Sequence, residues 1–462
     1  MSTKFTSRTS GLLIADIVII YGGLLVALYL RLGLVGMTQQ LYGNNGWLKI
    51  TLVTIVCLTA LYFYDLYDFT EINNRHTLLR LLIQALGSAW MSLALIFYFV
   101  PLLEIGRGVS IYSIIITIIS LMALRSWIHY LLGHPKIGEK ILILGEGNLA
   151  IDTVKAVLER RDAGYRIAGF ITDEFETIKN RIPTARNLGT IDDLETIIQK
   201  EKIDRIIVAL RERRRVFPAE ALLRIRLTGK VSIEECKSFF ERVTGQIHTD
   251  LQRPSWLIFS TRSRETQLKT LLREAGNRFL GLIGLIITSP VALITAILIK
   301  LDSRGAIFYK QERAGKNGRN FNVIKFRSMK TDAEVDGKPI WATTDDERTT
   351  RVGRVIRKIR VDEIPQFWNI IKGEMSFVGP RPERPHFVRQ LAEEIQYYEL
   401  RHLVTPGLTG WAQIKYPYGA SVEDARKKLQ YDLYYIKNQC LLLDIIIVLS
   451  TIKTVLFSKG AR

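Results

Sequence analysis

Four apolar stretches in the first quarter of the chain constrain its fold most strongly. Each is close to the ~20 residues that cross the hydrocarbon core of a bilayer, whereas helices buried in soluble bundles normally carry a polar face. A cleaved signal peptide fits poorly, because three further spans follow the first. The sequence therefore predicts a four-helix transmembrane bundle over residues 1–135, with spans at Gly11–Tyr29, Leu48–Tyr64, Leu79–Val100 and Val109–Leu124.

The basic residues around these spans predict their orientation. They precede the first span, lie between the second and third, and follow the fourth, at Lys4, Arg8, Arg75, Arg80, Arg125, Lys136 and Lys140. By the positive-inside tendency, the N-terminus and everything after the fourth span face the cytoplasm. A net charge of +19 favours anionic lipid, phosphorylated substrates or nucleic acid as partners.

Metal-thiolate and disulfide chemistry are not supported. The three cysteines show no Cys-x-x-Cys spacing, and the six histidines show no His-x-x-x-His pair. These spacings are the usual sequence signs of zinc sites, so zinc chemistry is disfavoured.

The pattern changes after the fourth span to alternating strand and helix signals. We expect an α/β, Rossmann-like domain over residues 136–255, followed by a linker at 256–272. Gly145, Gly147 and Ala150 form a Gly-x-Gly-x-x-Ala turn between a strand and a helix, where backbone amides can hold a phosphate. Two interpretations stay open, a nucleotide site and a purely architectural turn.

Residues 279–299 carry no charge but contain Ser289-Pro290 in the middle. The segment is long enough to cross a bilayer. Basic residues flank it on both sides, however, and proline bends a helix, so a re-entrant helix over 278–300 that kinks at Ser289-Pro290 and returns to the cytoplasm is favoured over a fifth span. The last apolar stretch, Cys440–Phe457, carries Asp444 and Lys453, which favours a helix in the membrane interface.

Residues 301–440 concentrate basic side chains and end one arginine-rich stretch with Asp362-Glu363. A carboxylate among guanidinium groups stays ionised at neutral pH and can act as a nucleophile or a magnesium ligand. An Asp-Glu pair alone is weak evidence, and a run of arginines is most often a solvated face. Lys325 and Arg327 alternate on a predicted strand, which points both to one face.

Five blocks in this region, in order, resemble the monotopic bacterial polyprenyl-phosphate phosphoglycosyl transferases. They are Lys325-Phe-Arg327-Ser-Met, Arg357 through Asp362-Glu363-Ile-Pro-Gln, Lys372 through Gly379-Pro380-Arg381-Pro382, Pro406-Gly-Leu-Thr-Gly-Trp-Ala-Gln413, and Tyr431-Asp432-Leu-Tyr-Tyr. The resemblance implies a catalytic domain at 273–462, mostly helical and monotopic. The N-terminal spans and the α/β domain look like the large form of the family.

The resemblance also implies an activity. A sugar-1-phosphate passes from a UDP-sugar, with glucose or galactose expected, to undecaprenyl phosphate, and UMP leaves. This is the first membrane step of exopolysaccharide synthesis, at the cytoplasmic membrane of a bacterium. A homodimer and contact with membrane lipid are expected, and a nucleic-acid partner is not.

The resemblance assigns roles to individual residues as well. Asp362 is the expected nucleophile that forms a covalent phosphosugar intermediate, and Glu363 the expected ligand of Mg²⁺. Phosphate binding or ordering of the site falls to Lys325, Arg327, Arg357, Arg381 and Asp432.

Two other functions compete with this one. A nucleotide-sugar epimerase or dehydratase built on the Gly145 turn commonly needs a Tyr-x-x-x-Lys pair, and no tyrosine in the chain has lysine four residues later. A nucleotide-sensing scaffold without catalysis is disfavoured by the intact Asp362-Glu363 pair.

Overall fold

The computed structural model describes most of the chain in two compact units. The units are Ser2–Thr244 and Gly245–Arg462. The expected 255/256 boundary and most of the 256–272 linker lie outside the described residues. Those residues are 7–43, 45–67, 75–132, 138–159, 164–172, 175–183, 185–210, 217–249, 267–330, 348–417, 419 and 421–457.

The N-terminal unit begins with four apolar helices, as the sequence predicts. They are α1 (Ser7–Gly43), α2 (Gly46–Phe63), α3 (Arg75–Phe99) and α4 (Arg107–Leu132). All four are long and apolar enough to cross a membrane. Leucines such as Leu24, Leu61 and Leu82 interlock at their centre, while Ile14, Leu95 and Ile119 are more than half exposed on the outside.

Asp16 lies within the first apolar helix and is completely buried. Its Oδ2 accepts a hydrogen bond from Nη2 of Arg125 on α4, at 2.7 Å, and Arg125 also lies over the ring of Tyr67. A charged side chain in an apolar helix bundle is costly unless it is paired, so this contact explains how both charges are accommodated.

The middle domain is a four-stranded parallel sheet in the order β2-β1-β3-β4. Its strands are β1 (Glu139–Leu144), β2 (Tyr165–Ile171), β3 (Arg205–Val208) and β4 (Ser232–Glu235), and its helices are α5 (Asn148–Glu159), α6 (Phe175–Arg181), α7 (Leu194–Glu201), α8 (Ala219–Leu227) and α9 (Cys236–Thr244). Alternate residues of β1 enter two cores, Ile141 and Ile143 on one face and Leu142 and Leu144 on the other. A sheet covered on both faces is what near-continuous apolar strands predict.

The C-terminal unit is mainly helical. Its helices are α10 (Gln267–Asp302), α11 (Arg351–Lys358), α12 (Gln366–Lys372), α13 (Pro385–Glu394), α14 (Trp411–Lys415), α15 (Val422–Asn438) and α16 (Leu441–Phe457). Four short strands complete it, β5 (Phe308–Ala314) pairing antiparallel with β6 (Asn320–Phe326), and β7 (Ser376–Val378) pairing in parallel with β8 (Gly407–Thr409).

The long helix α10 contains the uncharged segment and runs through Pro290. Proline lacks an N–H, so it leaves the carbonyl of Ile286 without its helical donor. The Ser289 hydroxyl donates a hydrogen bond of 2.7 Å to that same carbonyl. Ser289 therefore stabilises the helix where Pro290 weakens it.

The two halves of α10 both pack on the C-terminal unit. Before Pro290, Gly284 lies against the ring of Phe367 on α12. After Pro290, Ile299 enters a small core with Ile356 of α11 and Phe326 of β6. The opposite side of α10 is apolar and open, with Phe279, Ile287 and Leu293 at least 64% exposed.

Removing one partner of the buried pair in the N-terminal unit should destabilise the protein strongly. Asp16→Ala leaves the Arg125 guanidinium buried without a counter-ion, which costs about 3–5 kcal/mol and lowers the apparent Tm by roughly 5–10 °C. Thermal unfolding of the detergent-solubilised protein, followed by circular dichroism, measures the shift.

The exposed Arg107 at the other end of α4 provides the control. Arg107→Met should leave Tm unchanged, and Asp16→Leu combined with Arg125→Met should recover most of the loss, because no unpaired charge remains. An Asp16→Ala variant as stable as the parent would show that the pair does not hold the bundle together.

Candidate functional site

The buried carboxylate of Glu363 is the centre of the candidate site. Its Oε1 lies 2.7 Å from Nη2 of Arg381, 3.2 Å from Nζ of Lys325 and 3.6 Å from Nη1 of Arg360. The side chain is only 11% exposed. Burial alone would raise the pKa of Glu363, but the surrounding positive charges outweigh it and hold that pKa far below its ordinary value.

Asp362 precedes Glu363 in a short 3-10 helix, Val361–Glu363, and is 8% exposed. Its Oδ1 is buried and has no hydrogen-bond partner among the described residues. Burial, and then the negative charge of Glu363, raise the pKa of Asp362 above its ordinary value, although nearby cations oppose the change. The two neighbouring carboxyls are thus different, Glu363 firmly ionised and Asp362 the more basic.

The backbone before this pair takes a conformation that non-glycine residues seldom adopt. Arg360 has φ 59° and directly precedes the 3-10 helix. Such a left-handed residue costs free energy and persists where the surrounding structure requires it, often at a functional site. Here it brings the Arg360 side chain back toward Glu363.

Lys325 reaches the site from strand β6, which a buried asparagine fixes to helix α12. Asn369 is fully buried; its Oδ1 accepts from the amide of Ile324 at 3.1 Å and its Nδ2 donates to the carbonyl of Asn322 at 2.7 Å. Burial lowers the pKa of Lys325, and the nearby Glu363 charge opposes that change.

Arg381 arrives from a segment between β7 and α13. Strand pairing between β7 and β8 joins two of the sequence blocks, and the carbonyl of Pro380 accepts from the amide of Gly407 at 2.9 Å. A Cβ on Gly407 would come within 2.1 Å of the Gly379 nitrogen, so only glycine permits this approach. Contact with Glu363 raises the pKa of Arg381, which keeps it charged.

Three further residues predicted for the site form no ion pair with Asp362 or Glu363 in the described part of the chain, and their roles stay predictions. Arg327 is buried, and its guanidinium donates to the carbonyls of Ser303 and Arg304 at the end of α10. Arg357 is half-buried, and no ion pair joins it to Asp362 or Glu363 among the described residues. Asp432 is 1% exposed and pairs with Arg401 at 2.9 Å.

Sequence reasoning did not single out Arg401. Its guanidinium is buried beneath the Arg381 segment and contacts Asp432, Tyr398 and the carbonyl of Arg381. Burial raises the pKa of Asp432 to about 6, although the charge of Arg401 opposes the increase. Asp432 is too enclosed to contact a substrate directly.

The glycine turn of the middle domain is formed as the sequence predicts. Gly145 has φ 110° and Gly147 φ 113°, and a Cβ on Gly145 would meet the Ala209 backbone at 2.9 Å. Ala150 is fully buried in the first turns of α5. Whether this turn binds a nucleotide stays a prediction.

A metal fits the donor chemistry of the main site. Among the described residues no group of three or more His, Cys, Asp or Glu side chains could hold a metal ion. Mg²⁺, however, commonly binds through one or two carboxylates together with substrate phosphates. Asp362 and Glu363 provide two adjacent carboxylates, and the positive charges that hold Glu363 ionised keep it in the form that binds a cation.

Comparison with known proteins identifies the family. The model of the bacterial sugar transferase family matches residues 268–458, and that of a CoA-binding domain matches residues 62–219. An exopolysaccharide production protein PSS from Rhizobium leguminosarum bv. phaseoli is 39% identical over 191 residues, which are 39% of this chain and 94% of the relative. The chain belongs to the bacterial sugar transferase family.

Two longer members of the family are also similar. A UDP-N-acetylgalactosamine-undecaprenyl-phosphate N-acetylgalactosaminephosphotransferase from Aeromonas hydrophila is 39% identical over 269 residues, 56% of this chain and 61% of the relative. An undecaprenyl-phosphate glucose phosphotransferase from Komagataeibacter xylinus is 32% identical over 361 residues, 72% of this chain and 62% of the relative. The matches thus cover less than two thirds of the length of these two relatives.

Asn369 should be essential for the stability of the C-terminal unit. Asn369→Ala removes the side-chain partners of the Ile324 amide and the Asn322 carbonyl at a position where Asn369 itself is fully buried, which costs about 1–3 kcal/mol in total. We expect an apparent Tm several degrees lower, measured by circular dichroism. Asn320 is the control, since it lies exposed at the start of the same strand; an equal shift for Asn320→Ala would contradict the role given to Asn369.

Proposed function

We propose that this protein transfers a sugar-1-phosphate from a UDP-sugar to undecaprenyl phosphate and releases UMP. One observation carries the proposal. A buried carboxylate oxygen of Asp362, without a hydrogen-bond partner in the described part of the chain, lies beside an ionised Glu363 that contacts Lys325, Arg360 and Arg381. The names of the relatives support the substrates, and the exopolysaccharide name supports the pathway.

The first half-reaction uses Asp362 as the nucleophile. A carboxylate oxygen attacks the sugar-bearing phosphorus, the bond to the bridging oxygen of the diphosphate breaks, and UMP leaves with that oxygen. The product is an acyl phosphate that carries the sugar. A raised pKa makes Asp362 a more basic nucleophile than an ordinary aspartate.

The second half-reaction returns the enzyme to its starting state. A phosphate oxygen of undecaprenyl phosphate attacks the same phosphorus, and the bond to Asp362 breaks to regenerate the carboxylate. Because the two substrates react in separate steps, one soluble and one lipid substrate need not occupy the site together.

Fixed positive charges suit a diphosphate substrate. Arg381 and Lys325 are partly buried and already held on Glu363, the neighbour of Asp362, so they can stabilise the charge that develops as UMP leaves with little reorganisation. We propose that Mg²⁺ is held by Glu363 beside the substrate phosphates. There it would supply further charge neutralisation.

We further propose that α10 enters the inner leaflet and returns, with the middle and catalytic domains in the cytoplasm. Support comes from Gly284 and Ile299, which lie on opposite sides of Pro290 and both pack on the charged C-terminal unit. A helix that spanned the bilayer would separate these contacts. Accessibility labelling of cysteines placed at 275 and 305 tests this, and labelling from opposite faces of the membrane would contradict it.

The nucleophile is tested by Asp362→Asn. An amide keeps the shape of the side chain but is a very weak nucleophile, so we expect transfer to fall by at least about a thousandfold, together with loss of any trapped covalent adduct. Purified protein is incubated with Mg²⁺, undecaprenyl phosphate and the UDP forms of glucose, galactose, N-acetylglucosamine and N-acetylgalactosamine; UMP release and lipid-linked product are measured.

Asp424→Asn provides the control. Asp424 belongs to the capping box that begins α15, outside the site, so this variant should retain near-normal turnover. Normal turnover by Asp362→Asn would remove Asp362 from the nucleophile role. Parent protein without activity on any of the donors, beside an active relative, would reject the proposed reaction.

The pH dependence of kcat/KM should reflect the ionisation of Asp362 beside Glu363. Catalysis needs ionised Asp362, whose folded pKa is raised, so kcat/KM should rise with pH through an apparent pKa above the ordinary ~3.9 of aspartate. Lys325 lowers that pKa by its charge. Lys325→Met should therefore move the acid limb to higher pH.

The control for this shift is Lys310 on the neighbouring strand β5, which is exposed. Lys310→Met should leave the acid limb in place, since solvent screens its charge. A limb that does not move in Lys325→Met would show that Lys325 does not act on Asp362 electrostatically.

The homodimer implied by the family resemblance stays a prediction. Light scattering of the detergent-solubilised protein measures it directly.

A further inference from the structure

The segment Pro380–Glu383, here called the Arg381 turn, carries the guanidinium that contacts Glu363 but forms no helix or strand. Two of its four residues are prolines, which have no backbone N–H. The turn can therefore offer few hydrogen bonds as a donor. Its position must be fixed mainly through its carbonyl oxygens.

All four of these carbonyls accept a hydrogen bond from another part of the C-terminal unit. Two donors are backbone amides and two are arginine side chains. The pairs are Gly407 N to Pro380 O at 2.9 Å, Arg401 Nη2 to Arg381 O at 2.9 Å, Arg313 Nη1 to Pro382 O at 3.1 Å and Ala314 N to Glu383 O at 2.9 Å.

Arg401 is the donor at the residue that matters most, because its partner is the carbonyl of Arg381 itself. The guanidinium is itself held, with Asp432 Oδ2 at 2.9 Å and the Tyr398 hydroxyl at 2.6 Å. Arg401 is 7% exposed and Asp432 1%. Neither side chain is open to a substrate, so an effect on the reaction must act through another residue.

We propose that Arg401, held by Asp432 and Tyr398, is a positioning residue that fixes the Arg381 turn and so keeps the Arg381 guanidinium on Glu363. The inference deepens the proposed function, on which its kinetic arm rests. Of the two roles that the resemblance implies for Asp432, phosphate binding or ordering of the site, the inference favours ordering. A planar guanidinium suits the task, because it donates to three acceptors in one fixed geometry.

The kinetic test compares Arg401→Lys in two backgrounds. Lysine keeps the charge but lacks the planar set of guanidinium donors, so we expect the Arg381 turn to shift. A misplacement of about 1 Å costs roughly a hundredfold in rate. We expect kcat to fall at least about 30-fold, with a smaller change in the KM for the UDP-sugar. When Arg381→Lys is already present, the further loss should be less than about threefold, because the residue being positioned is gone.

Arg242→Lys is the matched control. Arg242, in the N-terminal unit, likewise donates to a carboxylate and a tyrosine hydroxyl, those of Glu234 and Tyr165, although it is more exposed than Arg401. It should leave kcat within about twofold of the parent in both backgrounds. An Arg401→Lys loss of equal size with and without Arg381→Lys, or a normal kcat, would overturn the proposal.

A second measurement does not depend on activity. Hydrogen exchange of the full chain, read by mass spectrometry on a peptide covering 376–389, reports the order of the turn. Arg401→Lys should speed exchange there by about tenfold or more, while strand β1 is unchanged. Unchanged hydrogen exchange at 376–389 overturns the proposal. If the parent protein is inactive, the proposed transfer reaction is rejected, and hydrogen exchange alone then tests whether Arg401 positions the Arg381 turn.

Asp432→Asn is the second variant if Arg401→Lys does not fold. It keeps the volume of the side chain but removes the charge that holds Arg401, so both readouts should change in the same direction and by a smaller factor. Faster hydrogen exchange, combined with the same loss of kcat whether or not Arg381→Lys is present, would mean that Arg401 only stabilises the fold. That result also overturns the positioning role.

Discussion

Burial of the Glu363 carboxylate among positive charges is the constraint on which the C-terminal unit depends. A buried anion without partners is prohibitively costly, and three separate segments deliver its cations: strand β6 through Lys325, the Arg360 backbone bend, and the Arg381 turn. Each segment in turn needs its own support, such as Asn369 for β6. The separation of the first three sequence blocks along residues 325–382 follows from this convergence.

The same arrangement separates two chemically similar neighbours. Among the described residues, every cation that forms an ion pair with Asp362 or Glu363 contacts Glu363. Asp362 Oδ1 has no hydrogen-bond partner among them. Because Glu363 remains ionised, its negative charge adds to burial in raising the pKa of Asp362. One carboxylate therefore sets the electrostatics, while the other stays basic and available for bond formation.

Sequence patterns predicted the parts of this protein that rest on local periodicity. The four apolar helices, the parallel sheet after Lys140 and the turn at Gly145 are confirmed, since hydropathy and strand spacing act over short windows. Lys325 and Arg327 were expected on one face of a strand, yet Arg327 donates to the carbonyls of Ser303 and Arg304, just after α10. Alternation fixes the face of a strand but not the partner that a long side chain reaches.

Arg401 lay beyond sequence reasoning for a related reason. Two of its hydrogen bonds are to Arg381 and Asp432, which lie 20 and 31 positions away in the sequence. No short motif surrounds Arg401. A lone arginine in a polar stretch predicts a solvated surface, whereas the fold buries this one against the Arg381 carbonyl and Asp432. Prolines at 380 and 382 restrict the backbone of the Arg381 turn but remove two of its donors, so the turn is fixed through its carbonyls by amides and guanidinium groups of other segments. The Pro-Arg-Pro sequence therefore needs hydrogen-bond donors from other segments. The side chains of Arg313 and Arg401 provide two of them.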